Sequence, residues 1–223
     1  MRRIIWMAGL TCALVTLVAA PSTWAFPKYA RETKAACATC HVSPAGGAQL
    51  TEAGTAFKAD MTKKPTPVAG ADYVGSAKCK MCHMPYFKAW QTTAHAHAFE
   101  GLEKAPDTTV AKMAAALKVE VAGKASASES CVGCHVTGYK LAGGYPAADS
   151  AKTVAVTSVT CESCHGPGAK HVAAAMADKK SMIYGHPTAK MCVQCHTPAM
   201  SPNFDFEAYK KKGVHAVPAK TSG

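Results

Sequence analysis

The hydrophobic positions of this chain form one dense run and many short, scattered groups. Residues 4–20 are almost wholly apolar, follow Met1-Arg2-Arg3, and end at Pro21-Ser-Thr-Trp-Ala25. A basic head, an apolar stretch and a small-residue exit are the layout of a secretory signal peptide, with cleavage expected after Ala25. About 17 apolar residues is the lower edge for a membrane span, so membrane association enters only if this segment stays uncleaved. Cys12 leaves with the signal: Thr11 precedes it where lipoprotein processing needs a small residue, and Arg2-Arg3 lacks the rest of a twin-arginine motif. Beyond the signal (1–25), helical spacing predicts short helices at 108–119, 168–177 and 205–212, while alternation predicts an extended segment at 153–160. The stretch Lys63-Lys64-Pro65-Thr66-Pro67-Val68-Ala69-Gly70 reads as a linker over 64–70. It divides a small unit at 26–63 from a larger one at 71–217, with a tail at 218–223.

Composition makes the core a problem. Aromatic residues are only 7% of 223, and Leu and Ile are sparse, so side chains alone build a thin interior for a chain of this size. The expectation is a mostly α protein with little regular structure, in which motif-bearing turns and loops make up the rest and something other than side chains fills the centre. The formal charge is +11, from 25 basic and 14 acidic residues. Such an excess points to an acidic partner, a nucleic acid or a membrane surface. The interleaved arginines and aromatics of a nucleic-acid binder are missing.

Ten of the eleven cysteines form Cys-x-x-Cys pairs, and every pair is followed by histidine: Cys37-Ala-Thr-Cys40-His41, Cys79-Lys-Met-Cys82-His83, Cys131-Val-Gly-Cys134-His135, Cys161-Glu-Ser-Cys164-His165 and Cys192-Val-Gln-Cys195-His196. They are numbered here motifs 1 to 5. Cys-x-x-Cys-His is the signature of c-type haem attachment. Two cysteines three apart share one side of a helical turn, where each thiol can add to a haem vinyl group, and the next residue offers its imidazole as proximal iron ligand. Zinc ribbons need two pairs per ion and no histidine after each; structural disulfides explain neither the fixed gap nor the histidines. The reading is five covalently bound haem c groups that become the missing core. Their propionates also account for the basic excess. Motif starts at 37, 79, 131, 161 and 192 have no fixed period, which excludes a simple tandem repeat.

Five histidines lie outside the motifs, His95, His97, His171, His186 and His215, as many as there are irons with an open axial position. On a helix, positions two apart point to opposite sides, so His95 and His97 would serve different haems. Met61 competes as distal ligand of the amino-terminal haem and would raise its potential. The other methionines read as gap-fillers.

The larger unit resembles the tetrahaem cytochrome c-554 family. The resemblance is carried by Tyr73-Val-Gly-Ser76, by Trp90-Gln-Thr-Thr-Ala-His95-Ala96, and by Cys131-Val-Gly-Cys-His-Val-Thr-Gly-Tyr139. It continues through Cys161-Glu-Ser-Cys-His-Gly-Pro-Gly168 with His171, and Cys192 to His196 followed by Ser201-Pro-Asn-Phe-Asp-Phe206. It implies a mostly α fold with closely stacked haem pairs, distal roles for His95, His171 and His215, and a haem at motif 3 without a strong sixth ligand. It also implies acceptance of electrons from an oxidoreductase, as family members accept them from hydroxylamine oxidoreductase. The amino-terminal module, with Gly46-Gly47 and Gly54-Thr-Ala-Phe57, departs from the family pattern and leaves the partner open; His97 or His186 is then the candidate for its iron.

Three functions follow from these readings. The leading one is a periplasmic or extracellular electron carrier between a donor oxidoreductase and a downstream acceptor, since no separate catalytic constellation is present. The second is a haem enzyme reducing nitric oxide or a related nitrogen species at an open iron, and the third a subunit that self-associates into a conductive filament. The clusters Lys63-Lys64, Lys179-Lys180 and Lys210-Lys211-Lys212 are either solvated faces or docking charges for an acidic partner.

Overall fold

The computed structural model describes residues 28–213 apart from 34, 36, 42–47, 67–72, 142, 148 and 149. The signal segment, most of the 64–70 linker, His215 and the tail lie outside these residues. Every regular element among them is helical: α1 (Lys28–Thr33), α2 (Cys37–Cys40), α3 (Glu52–Ala59), α4 (Ser76–Gln91), α5 (Ala98–Glu103), α6 (Asp107–Leu117), α7 (Glu129–His135), α8 (Ser150–Val156), α9 (Cys161–His165), α10 (Ala169–Ala173), α11 (Ala189–Cys192) and α12 (Phe206–Gly213). Two isolated antiparallel bridges, His41 with Leu50 and Val136 with Thr157, are the extended pairings. No helix among the described residues is long and apolar enough to cross a membrane.

The interior is as thin as the composition requires. Ala35, Phe57, Tyr73, Leu102, Ala125, Val132, Val136 and Val156 are the buried apolar side chains among the described residues. One contiguous cluster, Leu102, Ala125, Val132 and Val136, sits under α5 and α7 with Phe99, Val110, Tyr139 and Tyr145 packed on it.

Polar anchors do much of the remaining cross-linking. Thr137 is fully buried, and its hydroxyl meets Ser158 O, Thr160 Oγ1 and Ser163 Oγ at 2.8 Å each, and accepts Thr160 N–H at 2.9 Å. Trp90 donates its indole N–H to Val159 O at 3.0 Å. Such fully satisfied networks specify one arrangement.

Helices at 107–117 and 206–213 match the expected ones within a residue or two, and the one expected at 168–177 is cut to 169–173. The extended segment expected at 153–160 is corrected: its first half is the end of α8. A strand there would need a partner strand, and among the described residues the segment makes only the single Val136–Thr157 bridge. The helix instead buries Val156 completely and brings the small Ala155 against Gly75. Gly75 has φ +80°, and a Cβ there would lie 2.7 Å from Ala155 Cβ; the close approach of α8 to the start of α4 demands glycine twice over.

The motifs also sit on helices rather than in loops. Motifs 3 and 4 close α7 and α9, motif 2 lies within α4, and only motif 5 runs from the end of α11 into a turn. Helix α4 kinks at His83 (φ −118°, ψ 38°), two residues before Pro85, whose ring cannot continue an unbroken helix.

Candidate haem-binding site

Around motif 1, α3 lies against α2. Thr51 caps α3 by accepting Gly54 N–H at 3.0 Å, donates its hydroxyl to Thr39 O at 2.7 Å, and sends its own N–H to Cys40 O at 3.0 Å. Tyr29 and Phe57 pack edge to face at 5.6 Å. Cys37 and Cys40 bound α2, and His41 is held by its bridge to Leu50. Met61 lies half exposed beyond α3.

In the larger unit the histidines come together in pairs from distant parts of the chain. His83 and His171 have ring centroids 6.2 Å apart, inclined by 24°; His95 and His196 are 6.1 Å apart at 70°. An imidazole nitrogen bonds a metal at about 2.0 Å and lies about 1.1 Å from its ring centre, so two imidazoles sharing one ion stand about 6.2 Å apart. Both pairs meet that spacing.

Hydrogen bonds set which nitrogen is presented. Nδ1 of His135 meets Ala98 O at 2.7 Å, Nδ1 of His165 meets Tyr184 O at 2.7 Å, Nδ1 of His171 meets Lys179 O at 2.8 Å, and Nδ1 of His196 meets Ser201 Oγ at 2.9 Å. A ligating histidine with one nitrogen so fixed turns the other toward its metal. Burial lowers the pKa of His95, with further lowering by His196 and His135, and burial lowers that of His196. Both shifts favour the neutral form, the one that ligates. Phe204 stacks on His196 at 4.9 Å.

The thiols of different motifs also converge. Cys79 and Cys161 lie close enough to interact, which raises the pKa of Cys79 and lowers that of Cys161. Cys164 is pushed up to about 12 by burial and by Cys192 and Cys161 beside it. Cys131, Cys134 and Cys195 are half-buried, and Cys82 is exposed. Nine cysteines, Cys40 to Cys195, carry no disulfide. Thiols paired three apart and free of disulfides, with imidazoles at metal-sharing distance, fit covalently attached haem; they do not fit zinc, and no cluster of the kind that holds a bare ion occurs among the described residues.

The remaining candidates fall elsewhere. His95 and His97 lie on the turn between α4 and α5 instead of a helix. His97 is exposed, with Nδ1 3.1 Å from Glu100 and Nε2 3.1 Å from Gln91 O. His186 is exposed, and His215 lies outside the described residues. Of the lysine clusters, Lys179 is committed: its ammonium donates to His171 O and Val172 O at 2.9 and 2.8 Å.

Sequence reasoning passed over Glu162, the first residue between the cysteines of motif 4, which is 2% exposed. Its carboxylate accepts N–H groups of Val74 (2.9 and 3.1 Å), Gly75 (2.7 Å) and Gly168 (2.7 Å). Burial pushes this carboxyl up from its ordinary range, while the three amides and the Lys152 charge pull it back. The signal available was an acid placed in a motif otherwise flanked by apolar and small residues.

Known proteins resemble this chain over part of its length. The family model for cytochrome c554 and c-prime matches residues 78–166. Cytochrome c-554 of Nitrosomonas europaea is 41% identical over 108 residues, which is 48% of this chain and 44% of that protein. The match thus spans less than half the length of that relative. A solved structure of the reduced state of cytochrome c554 from Nitrosomonas europaea superposes with a TM-score of 0.51 at 25% identity, over 66% of this chain and 86% of that one. The chain is therefore similar to c-type cytochromes of the cytochrome c-554 family, with residues 78–166 the stretch that matches the family model.

Proposed function

We propose that the chain is an exported pentahaem c-type cytochrome that passes electrons between redox partners in the periplasm or outside the cell. The observation that carries the reading is the pair of imidazole couples, His83 with His171 and His95 with His196, at the spacing of two ligands sharing one iron. When bound, each haem c supplies a one-electron ferric/ferrous couple. The cysteines of the five motifs fix the groups covalently, and His41, His83, His135, His165 and His196 are the proximal ligands. His171 and His95 are the distal ligands of motifs 2 and 5. His215 is assigned to motif 4, and His97 or His186 to motif 1.

The contacts between motifs suggest an order of transfer. Motif 2 touches motif 4 through Cys79 and Cys161, motif 4 neighbours motif 5 through Cys164 and Cys192, and His95 interacts with both His196 of motif 5 and His135 of motif 3. The order 2, 4, 5, 3 gives a path with motif 2 at one end and motif 3 at the other.

A second reading, reduction of nitric oxide or a related species at motif 3, draws on one observation. Among the described residues no histidine pair of metal-sharing spacing includes His135, and His97 on the neighbouring turn has both nitrogens engaged. A ferric spectrum showing only low-spin haem, unchanged by nitric oxide, counts against this reading.

The test of the main proposal is mass and magnetic resonance together. The mature protein should carry five haems that resist acid-acetone extraction. His171→Ala should convert one low-spin signal to high-spin at an unchanged haem count, because thioether bonds do not depend on the distal ligand. Four haems or fewer, or an unchanged spectrum, defeats the assignment.

A further inference from the structure

The two residues between the cysteines of motif 4 are committed to bonds with segments that flank other motifs. Ser163 bonds Thr137, which follows motif 3, at 2.8 Å. Glu162 bonds the N–H groups of Val74 and Gly75 at the start of α4, the helix of motif 2, and closes its own loop through Gly168. The carboxylate lies beside Cys161, whose thiol neighbours that of Cys79. One buried acid therefore stands where the attachment points of motifs 2 and 4 meet.

The chemistry of its partners settles its form. All three are backbone amides, which donate and cannot accept, and both oxygens are used, Oε1 by Val74 and Gly168 and Oε2 by Val74 and Gly75. A protonated carboxyl would turn a hydrogen against one of these donors; the ionised form satisfies all of them. The start of α4 has no side-chain cap of its own, so the carboxylate also supplies the negative charge that a helix amino terminus favours. With 2% exposure, water and salt screen it poorly.

We infer that Glu162 is a fixed buried anion that locks motif 2 to motif 4 and lowers the reduction potentials of the two haems those motifs hold. The inference rests on the haem reading above. Reduction adds one electron from the donor to an iron and removes one unit of positive charge; a nearby carboxylate that takes up no proton favours the more positive, oxidised state. Glu162 is thus a positioning and tuning residue, touching neither electron donor nor iron.

The experiment uses the mature holoprotein and its E162Q and E162D variants, each matured with periplasmic haem ligation, counted by mass and titrated spectroelectrochemically. For E162Q, the reduction equilibrium constants of two of the five components should rise at least ten-fold, which is 59 mV for a one-electron couple, with the other three unmoved. E162D, which keeps the charge, should stay within about two-fold of wild type on the same charge argument. Unshifted components in E162Q, or all five shifting alike in both variants, overturn the inference. Should E162Q fail to mature, the reduced-minus-oxidised infrared difference spectra of wild type and E162D decide: no protonated-carboxyl band appearing on reduction supports a fixed anion, and such a band overturns it. Wild type lacking haem on motif 2 or 4 would remove the functional reading and this inference together, whereas haem present with unshifted potentials removes this inference alone.

Discussion

Replacing Gly54 by alanine tests whether the amino-terminal module is built as described. A Cβ at this position would lie 1.9 Å from Cys40 O, 2.7 Å from Cys40 C and 2.9 Å from Cys40 Cα, all backbone atoms of motif 1. A carbon is tolerated at about 3.3 Å from a carbonyl oxygen, so α3 must retreat from α2 by about 1.4 Å. The same oxygen accepts Thr51 N–H at 3.0 Å, and a retreat of that size breaks the bond, at a cost of about 0.5–1.5 kcal/mol. Overpacking adds about 1–3 kcal/mol, and the better helix propensity of alanine offsets about 1 kcal/mol. The net expectation is a loss of about 2 kcal/mol in this module. Gly101 in α5 is the control, since a Cβ there meets nothing within 4 Å; Gly101→Ala should stabilise by up to about 1 kcal/mol. Limited proteolysis between residues 28 and 66, and haem occupancy at Cys37 and Cys40 by peptide mass, read out the first; thermal unfolding reads out the second. If Gly54→Ala is as protease-resistant and as fully loaded as wild type, the packing of α3 on motif 1 is wrong.

Thr137→Val keeps the shape but removes a buried hydroxyl with four partners; thermal unfolding should show a loss of about 2–3 kcal/mol, and an unchanged midpoint would deny the network its role. Trp90→Phe deletes the bond to Val159 O and should cost about 1 kcal/mol by the same assay. Expression in the cytoplasm without haem ligation should yield an unfolded or degraded chain, and a stable folded apoprotein, seen by circular dichroism, would contradict a haem-built interior. Electron transfer with the native donor should slow as salt rises if Lys180, Lys210 and Lys211 steer an acidic partner; a flat response leaves them as solvated charges.

What the sequence disclosed and what it hid follow from the range of each interaction. The haem-attachment motifs are legible because thioether chemistry and the proximal histidine need residues within one helical turn. The pairing of His83 with His171 and of His95 with His196 is not, because each couple joins segments far apart in the chain and only the fold sets their spacing. The expected strand at 153–160 failed because alternating Thr and Val mark strand propensity, yet the tertiary demand for a small side chain at Ala155 and a buried one at Val156 selected a helix. Glu162 and Thr137 went unread for a related reason: in a local pattern one is a spacer and the other a loop residue, and their worth lies in partners tens of residues away.

The apolar cluster under α5 and α7 bears on how the protein is made. Leu102, Ala125, Val132 and Val136, with Phe99, Tyr139 and Tyr145 on their flank, bury each other through side-chain contacts that require no prosthetic group. This is the part of the chain whose order depends least on haem delivery. In biogenesis it gives the ligation machinery a partly shaped target at Cys131 and Cys134, while the segments carrying motifs 2, 4 and 5 wait for their cofactors before they can close around them.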